Sequence, residues 1–142
     1  SRLHNVRPDA QTVQKALDAL DLAPEALLRP ARNYSKGMMQ KLGLAACLLS
    51  GKQQLVLDEP MSGLDPKARA QFKQVLRQAR AQGRGALLTS HALADVEELC
   101  DRMAILHGGR IMFTGTPAEC RALHGGAAGA SLEQAFLNCI AA

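Results

Sequence analysis

An α/β fold with a parallel sheet is what this 142-residue sequence predicts, and three features carry the prediction. Two short apolar runs, 55–57 within "QLVLDEP" and 86–88 within "ALLTSH", do not alternate with polar residues, which is the habit of strands covered on both faces. Between them lies a helical pattern, so strand, helix and strand follow one another at the spacing of a parallel crossover unit. Both runs end in chemically useful groups: Asp58 and Glu59 after the first, Thr89, Ser90 and His91 after the second. Open α/β sheets bind ligands at the carboxyl ends of their strands, which places Asp58, Glu59 and His91 at one sheet edge.

The elements follow in order. Residues 9 to 22, "DAQTVQKALDALDL", set Val13, Ala16, Leu17 and Leu20 at helical spacing, with Asp9 or Thr12 as the cap. Pro24 and Pro30 bracket a short helical turn, "EALLR", completing a small helical layer. In "YSKGMMQKLGLAACLLS" an apolar stripe runs through Met38, Leu42, Ala45 or Ala46 and Leu49, and Ser35 stands at the cap position. Gly37 in the first turn is costly for a helix unless something must approach the backbone closely. A ligand is one such thing, since a helix start with N–H groups, a hydroxyl and a lysine suits an anion. An ordinary capped core helix whose methionines pack is the alternative.

After the first strand comes the loop "PMSGLDP", ending in Asp65 as a cap with Pro66 as the first helical residue. That helix runs to about Gln82, with Ala68, Phe72, Val75, Leu76 and Ala79 inward and Lys67, Arg69, Lys73, Arg77 and Arg80 mostly outward. Gly83 and Gly85 break it. "ALADVEELCD" reads as a helix packing Leu93, Val96, Leu99 and Cys100, and "RMAILHGGRIMFTG" as a hairpin turning at "HGGR". Thr116 to Glu119 supply a cap, a first-turn proline and a capping-box acid. "HGGAAGA", 124–130, is a flexible joint before a terminal helix, "SLEQAFLNCI", capped by Ser131.

The length is that of one domain with a real core, or of a piece of a larger one. With three Phe, one Tyr and no Trp, the 47% apolar fraction is mainly aliphatic, which suits a helix-rich chain. The net charge of +4 is spread over scattered basic residues without interleaved aromatics, an ordinary surface that argues against nucleic acid as a partner. Four cysteines, at 47, 100, 120 and 139, form no CxxC pair and have no histidine at ligand spacing, so free thiols in a reducing compartment are expected. No apolar stretch approaches the roughly 18 to 20 residues that span a bilayer. The start "SRLHNVRPDA" has no apolar segment of the signal-peptide kind, so the expected location is cytoplasmic.

An Asp followed by a Glu at the end of a strand can divide labour. The first holds Mg²⁺, directly or through water, while the second orients or polarises a water near a phosphoryl group. A histidine ending the next strand can hold the transferred phosphate in line. The plainer alternative is that Asp58 and Glu59 cap a turn before Pro60 and that His91 caps the following helix. The combination of two such strand ends with Ser62, Gly63 and Asp65 in the loop between them favours the chemistry.

As a set, these residues resemble the nucleotide-binding subunit of ATP-binding-cassette (ABC) transporters over roughly residues 9–140. "LVLDE" (55–59) resembles the Walker B strand with its general base at Glu59, "SGLDP" (62–66) the D-loop, and "TSH" (89–91) the switch-histidine strand. "YSKGM" (34–38) resembles the signature usually written LSGGQ; Tyr34, Lys36 and Met38 depart from it, while the phosphate-facing Ser35 and Gly37 remain. "LSGKQ" (49–53) mimics the signature more literally, but it abuts the Walker B strand and leaves no room for a signature helix. The style of signature, the 102–117 hairpin region and the "SLEQAFL" helix are similar to those of exporter ATPases with separate permease subunits.

The resemblance implies a partial P-loop NTPase (RecA-like) sheet core with part of the helical subdomain. Residues 1–51 would belong to the helical signature subdomain, 52–116 to the ATPase core and 117–142 to a C-terminal helical tail. It implies Asp58 on Mg²⁺, Glu59 and His91 as catalytic groups, and Ser35, Gly37, Ser62 and Asp65 on ATP. Ser35 and Gly37 would meet a nucleotide held by a second subunit of the same kind in a homodimer, and a transmembrane permease would dock the pair on the cytoplasmic face of the membrane. The sequence contains no GxxxxGK(S/T), the loop that cradles the β and γ phosphates. The chain therefore resembles the C-terminal half of such a subunit and is expected to be hydrolytically inactive alone. A sheet without its upstream strands is also expected to self-associate or exchange elements between copies. Two other classes stand beside this one. A non-catalytic module that pairs with another nucleotide-binding subunit would bind without turnover, and a nucleic-acid-associated ABC-like ATPase would need a basic patch with stacking aromatics.

Overall fold

The computed structural model describes residues 8–28, 30–126 and 129–141, and the chain divides after Thr89 into two compact units. The mixed α/β architecture with a parallel strand pair is as expected.

In the first unit, α1 (Ala10–Asp18) starts where Asp9 accepts the Thr12 amide at 2.7 Å. It ends earlier than the apolar pattern suggests, because Asp21 turns the chain through a positive φ of 52° while Leu20 and Leu22 still bury beside Leu17. Lys67 holds that turn through a 2.7 Å ion pair with Asp21, whose carboxyl is kept below its ordinary range by this hydrogen bond and charge. The short turn after Pro24 is a 3₁₀ segment, Pro24–Leu28, followed by another, Ala31–Asn33; Arg29 lies outside the described residues. Helix α2 (Lys36–Leu49) buries Leu44 and Ala45 most deeply, with Met38, Leu42 and Leu49 half-buried and Ala46 exposed. Its last carbonyls are closed by Arg84, which donates to Leu48 and Cys47 at 3.2 and 3.1 Å.

Strand β1 (Gln54–Leu57), helix α3 (Pro66–Ala81) and strand β2 (Gly85–Leu88) form the expected crossover. The strands are parallel, with Val56 opposite Leu87 and Leu57 opposite Leu88. All five residues expected on the inner face of α3 are buried, and Phe72 is only 2% exposed. One expectation fails: the apolar runs are not covered on both faces. Leu55 is buried, but the paired Val56 and Leu87 are 76% and 68% exposed. An unalternated run buries both faces only where a layer lies against each, and among the described residues this two-stranded ladder has one uncovered face.

The second unit contains α4 (Leu93–Leu99), β3 (Met103–His107), β4 (Arg110–Gly115), α5 (Pro117–His124) and α6 (Leu132–Ala141). The antiparallel hairpin turns through Gly108 and Gly109, both at positive φ, as a two-residue primed turn requires. Thr116 and Glu119 form the expected capping box, and Ser131 accepts the Gln134 amide at 3.1 Å. Residues 127–128 of the glycine-rich joint lie outside the described residues. Val96, Ile105, Phe113, Cys120, Leu132, Ala135 and Cys139 close one core. All four cysteines are free, and burial pushes the Cys100 and Cys120 thiols up. Among the described residues no helix is long and apolar enough to cross a membrane.

Candidate functional site

Strand β1 delivers Asp58 and Glu59 one after the other into a tight turn. The register that sets Leu57 against Leu88 sets Asp58 against Thr89, and the Thr89 amide continues the ladder by donating to the Leu57 carbonyl at 3.0 Å. The Thr89 hydroxyl donates to Asp58 Oδ1 at 2.6 Å and accepts the Glu59 amide at 2.9 Å. Asp58 is therefore held from the neighbouring strand and does not cap its own turn. Glu59 sits at φ +42°, in the left-handed region that disfavours any residue with a Cβ. Its carbonyl accepts the Ser62 amide at 3.1 Å, and the Gln40 side chain from α2 approaches the same oxygen at 3.4 Å.

Pro60, Met61 and Leu64 are buried and anchor the loop that follows. Gly63 adopts φ +76°, and a Cβ there would lie 3.2 Å from Lys36 Cδ, so both backbone and neighbour favour glycine. Lys36 reaches across to donate to Ser62 Oγ at 3.3 Å. Asp65 caps α3 as expected, accepting the Ala68 amide at 2.9 Å, with Pro66 in the first turn.

Ser35 caps α2 by accepting the Met38 amide at 3.2 Å. Gly37 has no packing reason to be glycine: an added Cβ would touch only Leu64 Cδ2 at 3.6 Å and Ser35 Oγ at 4.0 Å, both ordinary contacts. Its helix penalty of about 1 kcal/mol relative to alanine therefore has no packing explanation among the described residues. Ser35, Lys36, Gly37, Lys41, Gly63 and Asp65 line an open cleft of about 790 Å³ that joins the start of α2 to the 60–66 loop.

His91 is exposed and belongs to the second unit. It does not stand at the cap of α4; Ala92 does, and the Ala92 amide donates to Ser90 Oγ at 3.1 Å. The first unit thus gathers Asp58, Glu59, Ser62 and Asp65 in one loop and Ser35 with Gly37 on the adjoining cleft. The sequence points to Thr89 only as one of three polar residues ending its strand and to Lys36 only as a lysine at a helix start; the partner of Thr89 follows from strand register and that of Lys36 from the tight Gly63 opposite.

The donor set suits Mg²⁺. That ion takes oxygen ligands, commonly one or two carboxylates completed by phosphates and water. Asp58 is exposed and commits Oδ1 to Thr89, leaving Oδ2 as the oxygen to face a cation. No group of three or more His, Cys, Asp or Glu among the described residues could hold a metal alone.

Comparison with known proteins agrees with the fold. A family model described as "AAA domain, putative AbiEii toxin, Type IV TA system" matches residues 4–94. An uncharacterized ABC transporter ATP-binding protein of Synechocystis is 44% identical over 72% of this chain and 29% of its own length. A fluoroquinolones export ATP-binding protein of Mycobacterium tuberculosis is 40% identical over 74% of this chain and 35% of its own. A solved structure of the ATP binding subunit of an ABC transporter superposes with a TM-score of 0.80 at 32% identity, over 92% of this chain and 55% of that one. The chain thus spans about a third of the length of these curated relatives.

Proposed function

Because the chain belongs to the AAA-domain family and matches the nucleotide-binding subunits of ABC transporters, we propose that it is the Walker B and signature portion of a subunit that hydrolyses ATP to drive transport. The observation that carries this is the Asp58–Glu59 turn, in which a glutamate occupies backbone that glycine would occupy without strain. Mg²⁺ bound with ATP would supply charge neutralisation for the phosphates. Asp58 would hold it, Glu59 would orient a water and draw its proton, and His91 would steady the γ-phosphate, the roles that the resemblance implies for them. Ser35 and Gly37, at the start of α2, would meet the nucleotide of a second subunit, with Ser62 and Asp65 shaping the loop beside it.

Residues 1–51 would belong to the helical signature subdomain, 52–116 to the ATPase core and 117–142 to a helical tail. Export is the direction supported by the relative named for fluoroquinolone export, with a permease partner holding the paired subunits at the cytoplasmic membrane face. Without GxxxxGK(S/T) the chain alone would be hydrolytically inactive. The uncovered Val56 and Leu87 would promote self-association.

The test is steady-state MgATP hydrolysis by this chain joined to an upstream segment that carries the phosphate loop. Turnover that disappears in Glu59→Gln is the expected result. Turnover indifferent to that change would overturn the assignment.

A further inference from the structure

We propose that Thr89 is the positioning residue of the Asp58–Glu59 turn: one hydroxyl, delivered from β2, fixes both the oxygen that Asp58 presents and the backbone on which Glu59 is mounted. This rests on the assignment of Asp58 and Glu59 as the metal-holding and water-orienting groups. A threonine hydroxyl has one donor and two acceptor sites, and both of its bonds here fall on adjacent residues of the same turn. The donor goes to Asp58 Oδ1 at 2.6 Å, the short distance of a bond to a carboxylate. An acceptor site receives the Glu59 amide at 2.9 Å.

Thr89 is itself fixed, because its amide donates to the Leu57 carbonyl at 3.0 Å, the last rung of the parallel ladder. The chain of constraint therefore runs from sheet to Thr89 to turn. A non-glycine residue at φ +42° persists only where its surroundings over-determine it, and the bridge grips the turn on the amide side while Ser62 holds the Glu59 carbonyl. The bond to Oδ1 restrains rotation of the Asp58 carboxylate and so the direction in which Oδ2 points. Valine at position 89 would keep the branched shape that suits a strand end and lose both bonds.

The test is amide hydrogen exchange at Glu59 in the 142-residue chain, followed by NMR without nucleotide, with the Ala68 amide as internal reference. Thr89→Val and Thr89→Ala are expected to speed exchange at Glu59 by about tenfold relative to the reference, and Thr89→Ser to stay within about threefold of the parent. Should Thr89→Val fail to fold, the alanine and serine variants decide. Exchange unchanged in the variants that lack the hydroxyl, or serine as fast as alanine, would overturn the proposal. Unchanged exchange beside Glu59-dependent turnover would sink the positioning role and leave the ATPase assignment standing. Faster exchange beside turnover indifferent to Glu59→Gln would keep the bridge and sink the assignment.

Discussion

Two turns of this molecule leave a strand through left-handed backbone, and they use different residues to do it. The hairpin in the second unit passes through Gly108 and Gly109, at φ 55° and 73°, where the lack of a Cβ makes the conformation free of strain. The exit of β1 in the first unit passes through Glu59, at φ 42°, where a Cβ is present and the conformation is strained. The first turn has a purely structural task and the residue type that performs it best. The second retains a carboxylate where glycine would fit, braces it with Thr89 and Ser62, and sets it beside Asp58. Under the proposed function, the difference assigns chemistry to the Glu59 turn and a structural task to the glycine hairpin.

That contrast can be broken or sharpened by substitution. The largest expected effect is on chemistry: Glu59→Gln in the chain joined to its phosphate-loop segment should lower MgATP turnover by about 10²- to 10⁴-fold, the usual worth of a general base. Next comes Gly109→Val, which forces a branched residue into φ 73° and should cost about 1–3 kcal/mol in urea unfolding. Thr116→Ala, which removes the cap where the hairpin enters α5, should cost about 1 kcal/mol by the same measurement. Glu59→Gly should leave stability unchanged or raise it by up to about 1 kcal/mol while abolishing turnover; a clear loss of stability would mean that the glutamate is structural after all.

The smallest effect is in acid. The Thr116 amide and hydroxyl hold the Glu119 carboxyl below its ordinary value of 4.5. A carboxylate with a depressed folded value contributes stability that is complete above the unfolded value and is lost as pH falls through the folded one. The capping-box contribution should therefore be intact above pH 4.5 and decline below it, and Glu119→Gln should flatten that part of the stability profile.

Much of this was legible in the sequence. The inner face of α3, the Asp65 cap with Pro66, the Thr116–Glu119 box and the double-glycine hairpin each depend on local chemistry that a few adjacent residues spell out. What was not legible depends on partners distant in the chain. The apolar run 55–57 cannot say whether a second layer exists to cover Val56, and nothing near α1 announces that Asp21, in the turn after it, pairs with Lys67, 46 residues away. Thr89 was visible only as one of three polar residues ending its strand, because its role follows from strand register, which fixes it opposite Asp58 only once the ladder is built. The positive φ of Glu59 is likewise invisible, since nothing in "LDEP" forces it.

The central claim is that this chain carries the carboxylate half of an ATPase site and lacks the half that grips the phosphates. Steady-state MgATP hydrolysis by the purified chain alone, beside its Glu59→Gln variant, tests it most directly. The expected result is equal, background turnover in both. Turnover by the parent chain that the variant loses would contradict the account, since it would mean that these 142 residues assemble a complete site without a phosphate loop.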